Sequence, residues 1–279
     1  MQPRVLIVAG SDSGGGAGIQ ADIKTVTALG GYAATAITAV TAQNTLGVHG
    51  VLPIDPEFID RQIEVVLGDV GADCIKTGML HSAAVIRALV RRCQASGAGI
   101  PIVVDPVMVA KGGERLLQKE AMEALLTELL PMAALITPNV PEAEAMTGVD
   151  VRSSADFGAV ADRLLAMGAG AVLIKGGHLA GPTVVDVLRT GDGEEYRFEA
   201  ERLNTRATHG TGCTLASAIA CGIAEGLTLQ NAVGRAHRYL LDAMRSAPGL
   251  GQGHGPLNHA HPVTGLQKRP KVPPGHTVH

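Results

Sequence analysis

The residues with the most distinctive chemistry form a short stretch, Thr208-His209-Gly210-Thr211-Gly212-Cys213, which runs directly into small apolar residues. This pattern predicts a helix that begins at a tight turn. The first amides of a helix have no partner within the helix and lie at the positive end of its dipole. A phosphate oxygen can therefore bind the amides between Gly210 and Cys213, and phosphoryl transfer requires such a pocket.

Cys213 falls in the first turn of this predicted helix. The field of the helix is expected to lower the pKa of the thiol, which makes Cys213 a candidate proton acceptor beside the transferred phosphate. Gly210 and Gly212 are candidate catalytic residues with it, because their amides would bind negative charge. The alternative is a small cysteine that only packs, since free cysteines are often buried.

Polar residues directly follow three short apolar runs. They are Asp105, Lys175, Asn139 and Glu142. Because the carboxyl ends of parallel strands meet at one edge of a sheet, we expect these side chains to lie close together. A carboxylate pair for Mg2+, a lysine for phosphate and the helix amides are the parts of a phosphotransferase. Each residue alone also has a structural alternative: a turn starter, a solvated strand end, or a first-turn acid.

A second glycine-rich segment, residues 10–18, separates the apolar run Val5–Ala9 from a helical pattern over 19–29. The order strand, loop, helix is typical of ligand-binding loops in open α/β sheets. No Lys-Ser or Lys-Thr follows the last glycine, and G-x-G-x-x-G does not fit either. The loop is therefore predicted to line the site without being one of the common nucleotide-binding motifs.

The composition favours one large α/β domain, with 279 residues, 46% hydrophobic residues and a net charge of -3. Six aromatic residues and no basic block argue against nucleic-acid binding. The sequence shows no leader and no apolar run that could span a bilayer, so we expect no membrane association and a cytoplasmic location. The four cysteines contain no C-x-x-C pair, which argues against a zinc site or a disulfide framework.

Short β-branched runs alternate with longer helical patterns, which predicts parallel strands joined by helical crossovers. The predicted fold class is therefore α/β, a doubly wound, mostly parallel central sheet with helices on both faces. The predicted strands are 4–9, 33–39, 74–77, 102–105, 134–137 and 171–175. The predicted helices include 19–29, 57–67, 83–95 and 155–167. Runs at 184–188 and 196–199 predict a small antiparallel edge.

Residues 1–261 are predicted to form this single domain, and the proline-rich, basic segment 262–279 is predicted to be a flexible tail. Half of the ten histidines lie in the last 26 residues, but without Cys or carboxylate partners they do not indicate a metal site. The segment Ala110-Lys111-Gly112-Gly113 is a candidate flap because of its two glycines and its expected place at the rim.

From about Val5 to His261 the chain resembles the ribokinase-like superfamily, and within it the hydroxymethylpyrimidine/phosphomethylpyrimidine kinases of thiamine biosynthesis. The matching motifs occur in that family's order, at residues 10–25, 41–45, 76–80, 105–108, 139–143, 175–178 and 208–214. Most superfamily members carry Asp at the position of Cys213, and the cysteine is typical of this branch. Arg206-Ala207 stands where the family usually has a Lys-Asn pair, which leaves nucleotide contacts of that turn open.

The resemblance implies an ATP:alcohol phosphotransferase, a homodimer, that uses Mg2+. It implies two successive acceptors, 4-amino-5-hydroxymethyl-2-methylpyrimidine and its monophosphate. The residues carried over to the pyrimidine pocket are Gly10, Asp22, Gln43, Met79 and Val107. Those implied to bind the nucleotide are Asp105, Asn139, Lys175, Thr208 and Thr211, and Asp105 and Glu142 are implied to organise Mg2+ through its water shell. Lys175 and Cys213 are the implied catalytic side chains.

Two other functions fit parts of this pattern. A pyridoxal or pyridoxine kinase of the cysteine type would bind a flat heteroaromatic alcohol of similar size, and a thiol such as Cys213 could capture the pyridoxal aldehyde. A non-catalytic sensor would bind a pyrimidine or a nucleotide without turnover. A sensor would not need a proton acceptor and a phosphate-binding lysine together, so the sequence favours an enzyme.

Overall fold

The computed structural model describes residues 1–96, 99–108 and 116–263. Within them the strands are β1 Arg4–Asp12, β2 Tyr32–Asn44, β3 Gly47–Pro53, β4 Cys74–Thr77, β5 Ile102–Val104, β6 Ala133–Ile136, β7 Ala171–Ile174, β8 Thr183–Thr190 and β9 Glu195–Glu201. The helices are α1 Gly18–Ala28, α2 Pro56–Asp69, α3 Ala83–Ser96, α4 Lys119–Ala124, α5 Val140–Thr147, α6 Phe157–Ala166, α7 Thr211–Ala224 and α8 Leu229–Arg245. Helix α4 continues into a wider turn at Leu125–Leu129.

The strands of the described residues form one sheet in the order β3-β2-β1-β4-β5-β6-β7-β8-β9. The six strands from β2 to β7 in this order are parallel, and β1 pairs with β2 on one side and β4 on the other. The order therefore reverses beside β1, which is where open α/β sheets bind ligands. The predicted doubly wound, mostly parallel sheet is confirmed, and β8 and β9 form the predicted antiparallel edge.

Helices cover both faces because alternate strand residues point to opposite sides. In β1, Leu6 and Val8 join one apolar layer, which α2, α3 and α6 complete, whereas Val5 and Ile7 join the other, which α1, α7 and α8 complete. The largest apolar side chain that is fully buried is Phe157, at the start of α6. Each face thus has its own core, and the polar strand ends between the two cores are free to form a site.

Several boundaries differ from the predicted ones for local reasons. Strand β3 was not predicted, because five of its seven residues are exposed and show no apolar alternation. Helix α6 begins after a separate turn at Ser154–Asp156, which Ser153 caps. Among the described residues, no helix combines the length and apolar character needed to cross a membrane. The predicted flap and residues 264–279 of the predicted tail lie outside the described residues.

Candidate active site

The two glycine-rich segments predicted from the sequence are in direct contact. Gly210, the residue before α7, has a left-handed backbone with φ of 82°, and a side chain there would overlap the carbonyl oxygen of Gly16. Only glycine satisfies both conditions. The first hydrogen bond of the helix runs from Thr214 N to Gly210 O at 2.9 Å. The amides of Thr211, Gly212 and Cys213 precede it, as predicted for an anion-binding helix start.

Asp12, which the sequence analysis missed, connects these two loops. Its buried carboxylate lies 2.8 Å from His209 Nε2 and accepts hydrogen bonds from the amides of Gly14, Gly16 and Ala17. Burial alone would raise the pKa of Asp12, but the hydrogen bonds from His209 and the amides outweigh it and lower the pKa. The available signal was an acid two residues before a glycine run, where its side chain can cap the turn.

The polar strand ends meet beside the start of α7. Lys175 Nζ lies 2.9 Å from Asp105 Oδ1, and a side chain on Gly212 would lie 3.3 Å from that ammonium. Asn139 pairs with Lys175 through a parallel backbone bridge. Burial alone would lower the pKa of Lys175, but the carboxylates of Asp105 and Glu142 outweigh it and raise the pKa. The expectation that these residues share one edge of the sheet is confirmed.

Asn139 and Glu142 cap helix α5 reciprocally. The Asn139 side chain accepts from Glu142 N at 3.0 Å, and Glu142 Oε2 accepts from Asn139 N at 2.8 Å. The structural alternative for Glu142, a first-turn acid, is therefore realised. Burial raises the pKa of Glu142 to about 7, against the opposing effect of Lys175.

The carboxylates of Asp105 and Glu142 lie near each other at this edge, since the charge of Asp105 contributes to the raised pKa of Glu142. In the described part of the chain, no group of three or more His, Cys, Asp or Glu side chains is arranged to hold a metal. Mg2+ usually keeps several waters and takes one or two carboxylates together with the phosphates of the nucleotide. The donor set therefore fits a Mg2+ ion that arrives with a nucleotide, and it does not form a dedicated protein cage.

We call the space between the two glycine-rich loops and the polar strand ends the crevice. Four of the residues assigned to the pyrimidine pocket adjoin one of these loops or strand ends. Met79 Cε lies 2.5 Å from the place of a side chain on Gly10, so these two residues adjoin. Gln43 is half-buried, accepts a hydrogen bond from Thr41 and has its amide nitrogen 3.5 Å from His209 Nε2. Val107 is half-buried and lines a small recess that also contains Asp105.

Asp22 requires a correction. Its side chain has no exposed surface, and its Oδ1 accepts hydrogen bonds from Lys76 at 2.8 Å and Ser217 at 2.6 Å. Asp22 therefore lies behind the crevice and does not line it. The burial of Lys76 was not predicted either. The signal was a lysine inside the apolar strand β4, because a buried lysine requires a nearby countercharge.

The prediction that the pKa of Cys213 is lowered is wrong. Burial raises the pKa of the thiol to about 12, with Lys76 opposing this rise and Asp22 and Asp105 adding to it. The dipole of a helix is a small effect beside desolvation of the charged form. The amide of Gly18, the first residue of α1, donates a hydrogen bond to the sulfur.

The two threonines assigned to the nucleotide use their hydroxyls within the loop. Thr208 Oγ1 lies 3.0 Å from His254 Nδ1, and Thr211 Oγ1 donates to Thr208 O at 3.3 Å. Arg206, at the position that departs from the family, is exposed and contacts Gln252 O. The C-terminal segment around His254 therefore supports the loop that precedes α7.

Residues 12–258 match the protein family described as phosphomethylpyrimidine kinase. The chain belongs to the phosphomethylpyrimidine kinase family. A hydroxymethylpyrimidine/phosphomethylpyrimidine kinase of Streptomyces coelicolor is 48% identical over 92% of this chain and 94% of its own length. The thiamine biosynthesis bifunctional protein ThiED of Geobacter sulfurreducens is 49% identical over 91% of this chain, which spans about half (52%) of that longer protein.

The chain is also similar to solved structures of two kinds of kinase, pyridoxal kinase and phosphomethylpyrimidine kinase. A pyridoxal kinase of Bacillus subtilis in complex with ADP has a TM-score of 0.86 and 35% identity, and the match covers 93% of this chain and 98% of that one. A phosphomethylpyrimidine kinase of Clostridium difficile has a TM-score of 0.76 and 40% identity, over 87% and 99% of the two chains. The fold is therefore that of these kinases, and the chain is a phosphotransferase of the phosphomethylpyrimidine kinase family.

Proposed function

We propose that the chain transfers phosphate from ATP to 4-amino-5-hydroxymethyl-2-methylpyrimidine and then to its monophosphate, giving the pyrophosphate used in thiamine biosynthesis. The observation that carries the proposal is the convergence of the Lys175–Asp105 pair with the start of α7 and Cys213 at one edge of the sheet. The names of the relatives at 48% and 45% identity support the same pair of acceptors.

In the proposed reaction, Lys175 and the amides of Thr211, Gly212 and Cys213 bind the phosphate oxygens. The hydroxyl oxygen of the acceptor forms a bond to the γ-phosphorus, the bond to the bridging oxygen breaks and ADP leaves. The hydroxyl proton passes to the thiolate of Cys213. Cys213 must first release its own proton to water, and its burial opposes that loss.

Mg2+ would be held by Asp105 and Glu142 through its waters, with Asn139 positioning Glu142. When bound, the ion would neutralise part of the phosphate charge. Gly10, Met79 and Val107 would contact the pyrimidine ring, and the amide of Gln43 would offer a donor and an acceptor to its amino edge. Thr208 and Thr211 would shape the loop that faces the nucleotide.

The two acceptors differ in one respect that tests the role of Cys213. The alcohol must lose a proton, whereas a phosphate monoester is mostly ionised already near neutral pH. We predict that Cys213→Ala slows phosphorylation of the alcohol by about 100-fold or more and that of the monophosphate by less than about tenfold. Lys175→Ala should slow both steps by about 100-fold or more. Rates of ADP release with each acceptor measure both effects.

Cys221→Ala is the matched control, because Cys221 is buried on the same helix two turns after Cys213. Its two rates should stay near those of the unaltered enzyme. Equal losses for the two acceptors in Cys213→Ala would contradict the proton-acceptor role. Absence of ADP release with either pyrimidine would contradict the proposed substrates.

A second candidate is pyridoxal kinase activity, which the structural similarity at a TM-score of 0.86 favours specifically. The same crevice would accept the hydroxymethyl group of pyridoxal. Turnover of pyridoxal and of hydroxymethylpyrimidine by the same preparation separates the two functions. A ratio of kcat/KM that favours pyridoxal would reverse the order proposed here.

We further propose a homodimer and a cytoplasmic location. Exposed apolar side chains at Val40, Val51 and Leu52, on the edge formed by β2 and β3, support self-association. All four cysteines are free, as expected in a reducing compartment. Sedimentation velocity tests the homodimer, and a monomer at micromolar concentration would contradict it. Cell fractionation tests the location, and recovery outside the cytoplasmic fraction would contradict it.

A further inference from the structure

A fully buried polar cluster lies behind the crevice and joins three elements. Lys76 of β4 donates to Asp22 Oδ1 of α1 at 2.8 Å, and Ser217 of α7 donates to the same oxygen at 2.6 Å. All three residues have 0% exposed surface. In the described part of the chain, Asp22 is the one hydrogen-bond partner of the Lys76 ammonium, and Asp22 Oδ2 has none. Burying two charges costs free energy that apolar packing would avoid.

The cluster lies close to Cys213. Ser217 follows Cys213 by four residues on α7, so the two side chains lie one turn apart on the same face of the helix. Lys76 Nζ lies 3.2 Å from the place of a side chain on Gly78, which follows β4 and lines the same small recess as Asp105. The ammonium of Lys76 lowers the pKa of the Cys213 thiol, against the larger opposing effect of burial.

We propose that Lys76 is a positioning residue for proton transfer at Cys213, whose ammonium stabilises the thiolate while Asp22, fixed by Ser217, partly offsets that effect. The inference rests on the proposed role of Cys213 as the proton acceptor. It assigns a use to the costly buried pair, which neither packing nor the phosphate-binding groups explain.

The charges that face Cys213 from the surrounding elements have opposite effects. Lys76 from β4 and Lys175 from the end of β7 favour the thiolate, whereas Asp22 from α1 and Asp105 from the end of β5 oppose it. Among these charged groups, Lys76 has the largest effect on the pKa of the Cys213 thiol. Removing the positive and the negative member of the buried pair should therefore change the reactivity of the thiol in opposite directions.

The test is the rate at which iodoacetamide alkylates Cys213 at pH 8, measured by mass spectrometry of the peptide in the full chain without nucleotide. Only the thiolate reacts, so the rate reports its population. We expect Lys76→Met to slow alkylation by about tenfold or more and Asp22→Asn to accelerate it. Ser217→Ala, which changes no charge, should alter the rate by less than about threefold.

The buried thiols of Cys74 and Cys221 report folding in the same samples, because an unfolded variant would be alkylated at both. Lys76→Met combined with Asp22→Asn isolates the lysine charge, and it should react more slowly than Asp22→Asn alone. The proposal would be overturned if Lys76→Met and Asp22→Asn changed the alkylation rate of Cys213 in the same direction. It would also be overturned if both changed this rate by less than about twofold.

Kinetics distinguish failure of this inference from failure of the proposed function. Alkylation requires no turnover, so the expected ranking of the variants by alkylation rate holds even if neither pyrimidine is phosphorylated. If the enzyme phosphorylates both acceptors, Lys76→Met should lower kcat for the alcohol more than kcat for the monophosphate. Equal losses with an unchanged alkylation rate would mark Lys76 as a structural residue only.

Discussion

Two lysine–aspartate pairs lie near the carboxyl edge of the same sheet and have almost the same geometry. Lys76 and Asp22 are 2.8 Å apart, and Lys175 and Asp105 are 2.9 Å apart. The side chains of the first pair are 0% exposed, whereas Lys175 is 14% exposed. The two pairs therefore share residue types and spacing but differ in exposure. In the functions proposed above, Lys175 is accessible to a phosphate, whereas the fully buried Lys76 acts on Cys213 only through its electric field.

A glycine faces each ammonium. A side chain on Gly78 would lie 3.2 Å from Lys76 Nζ and 3.0 Å from Ala9 Cβ, in a fully buried position. A side chain on Gly212 would lie 3.3 Å from Lys175 Nζ and 3.5 Å from Asp105 Oδ2, in a half-buried one. The surroundings can move in the second case and not in the first, because packed interiors yield little to added atoms.

The largest expected effect separates the two pairs by stability. Lys76→Met leaves the Asp22 carboxyl buried without its countercharge, and we predict a loss of about 3–5 kcal/mol in the free energy of unfolding. Lys175→Met should cost less, about 2–3 kcal/mol, because Asp105 is itself buried but the partly exposed place of Lys175 would admit water beside its carboxylate. Urea denaturation at constant slope measures both losses.

Arg61→Met is a surface control for this comparison, since Arg61 forms an exposed ion pair with Glu64. It should change the free energy of unfolding by less than about 1 kcal/mol. Equal losses of stability for Lys76→Met and Lys175→Met would contradict the distinction between the fully buried Lys76–Asp22 pair and the partly exposed Lys175–Asp105 pair.

A buried group without a countercharge should respond to pH where the pairs do not. His259 is buried against Thr214 of α7, with Nε2 2.9 Å from Thr214 Oγ1. Burial, with the charges of Lys24 and His261, lowers its pKa to about 4. The unfolded chain, with a pKa near 6.5, therefore takes up the proton first as pH falls. The stability from the neutral imidazole is complete above pH 6.5 and is lost progressively towards pH 4.

Between pH 7.5 and 5 this linkage should remove about 2 kcal/mol of stability. His259→Gln keeps a hydrogen-bonding group and cannot be protonated, so its change in stability from pH 7.5 to 5 should be more favourable than that of the unaltered protein by about 2 kcal/mol, since the contribution of Glu142 is common to both. Denaturation curves of both proteins at the two pH values provide the measurement. The same change in both proteins would show that His259 does not contribute to the acid sensitivity.

The fold was largely predictable, because its signals are local. Strand β4 was predicted at its observed bounds, and the apolar runs of β5 to β7 each ended within one residue of the predicted position. Strand β3 was not, although only Thr45 and Leu46 separate it from β2, because its side chains are mostly exposed and show no apolar alternation. Strand β1 continues to Asp12 because its polar end is paired with β2, which is a contact between residues distant in the sequence.

The site was predictable where it depends on strand ends and glycine turns, and not where it depends on burial. Convergence of Lys175, Asp105 and Asn139 followed from parallel topology alone. The positions of Asp22 and Lys76, 54 residues apart in the sequence, depend on how α1 packs against β4. The direction in which the pKa of Cys213 shifts depends on the same packing. Sequence patterns describe a helix start, but they do not describe how much water reaches it.

The smallest expected effects come from the two glycines and sharpen the comparison most directly. Gly78→Ala should cost about 1–3 kcal/mol in the free energy of unfolding, because its methyl group must displace Ala9 or the buried ammonium. Gly212→Ala should change stability by less than about 1 kcal/mol, since alanine favours the helix and Lys175 can move into the crevice. Its methyl group should nevertheless displace Lys175 from the phosphates and raise KM for ATP.

Unfolding curves and ATP kinetics of both variants therefore form a crossed test. Because the Lys76–Asp22 pair is fully buried, Gly78→Ala should lose stability, with KM for ATP nearly unchanged in the folded fraction. Because the Lys175–Asp105 pair is partly exposed, Gly212→Ala should keep its stability and raise KM for ATP. If both variants lost stability to the same extent and kept KM, neither glycine would report the access of its lysine to solvent. The two ion pairs would then differ in exposure without differing in use.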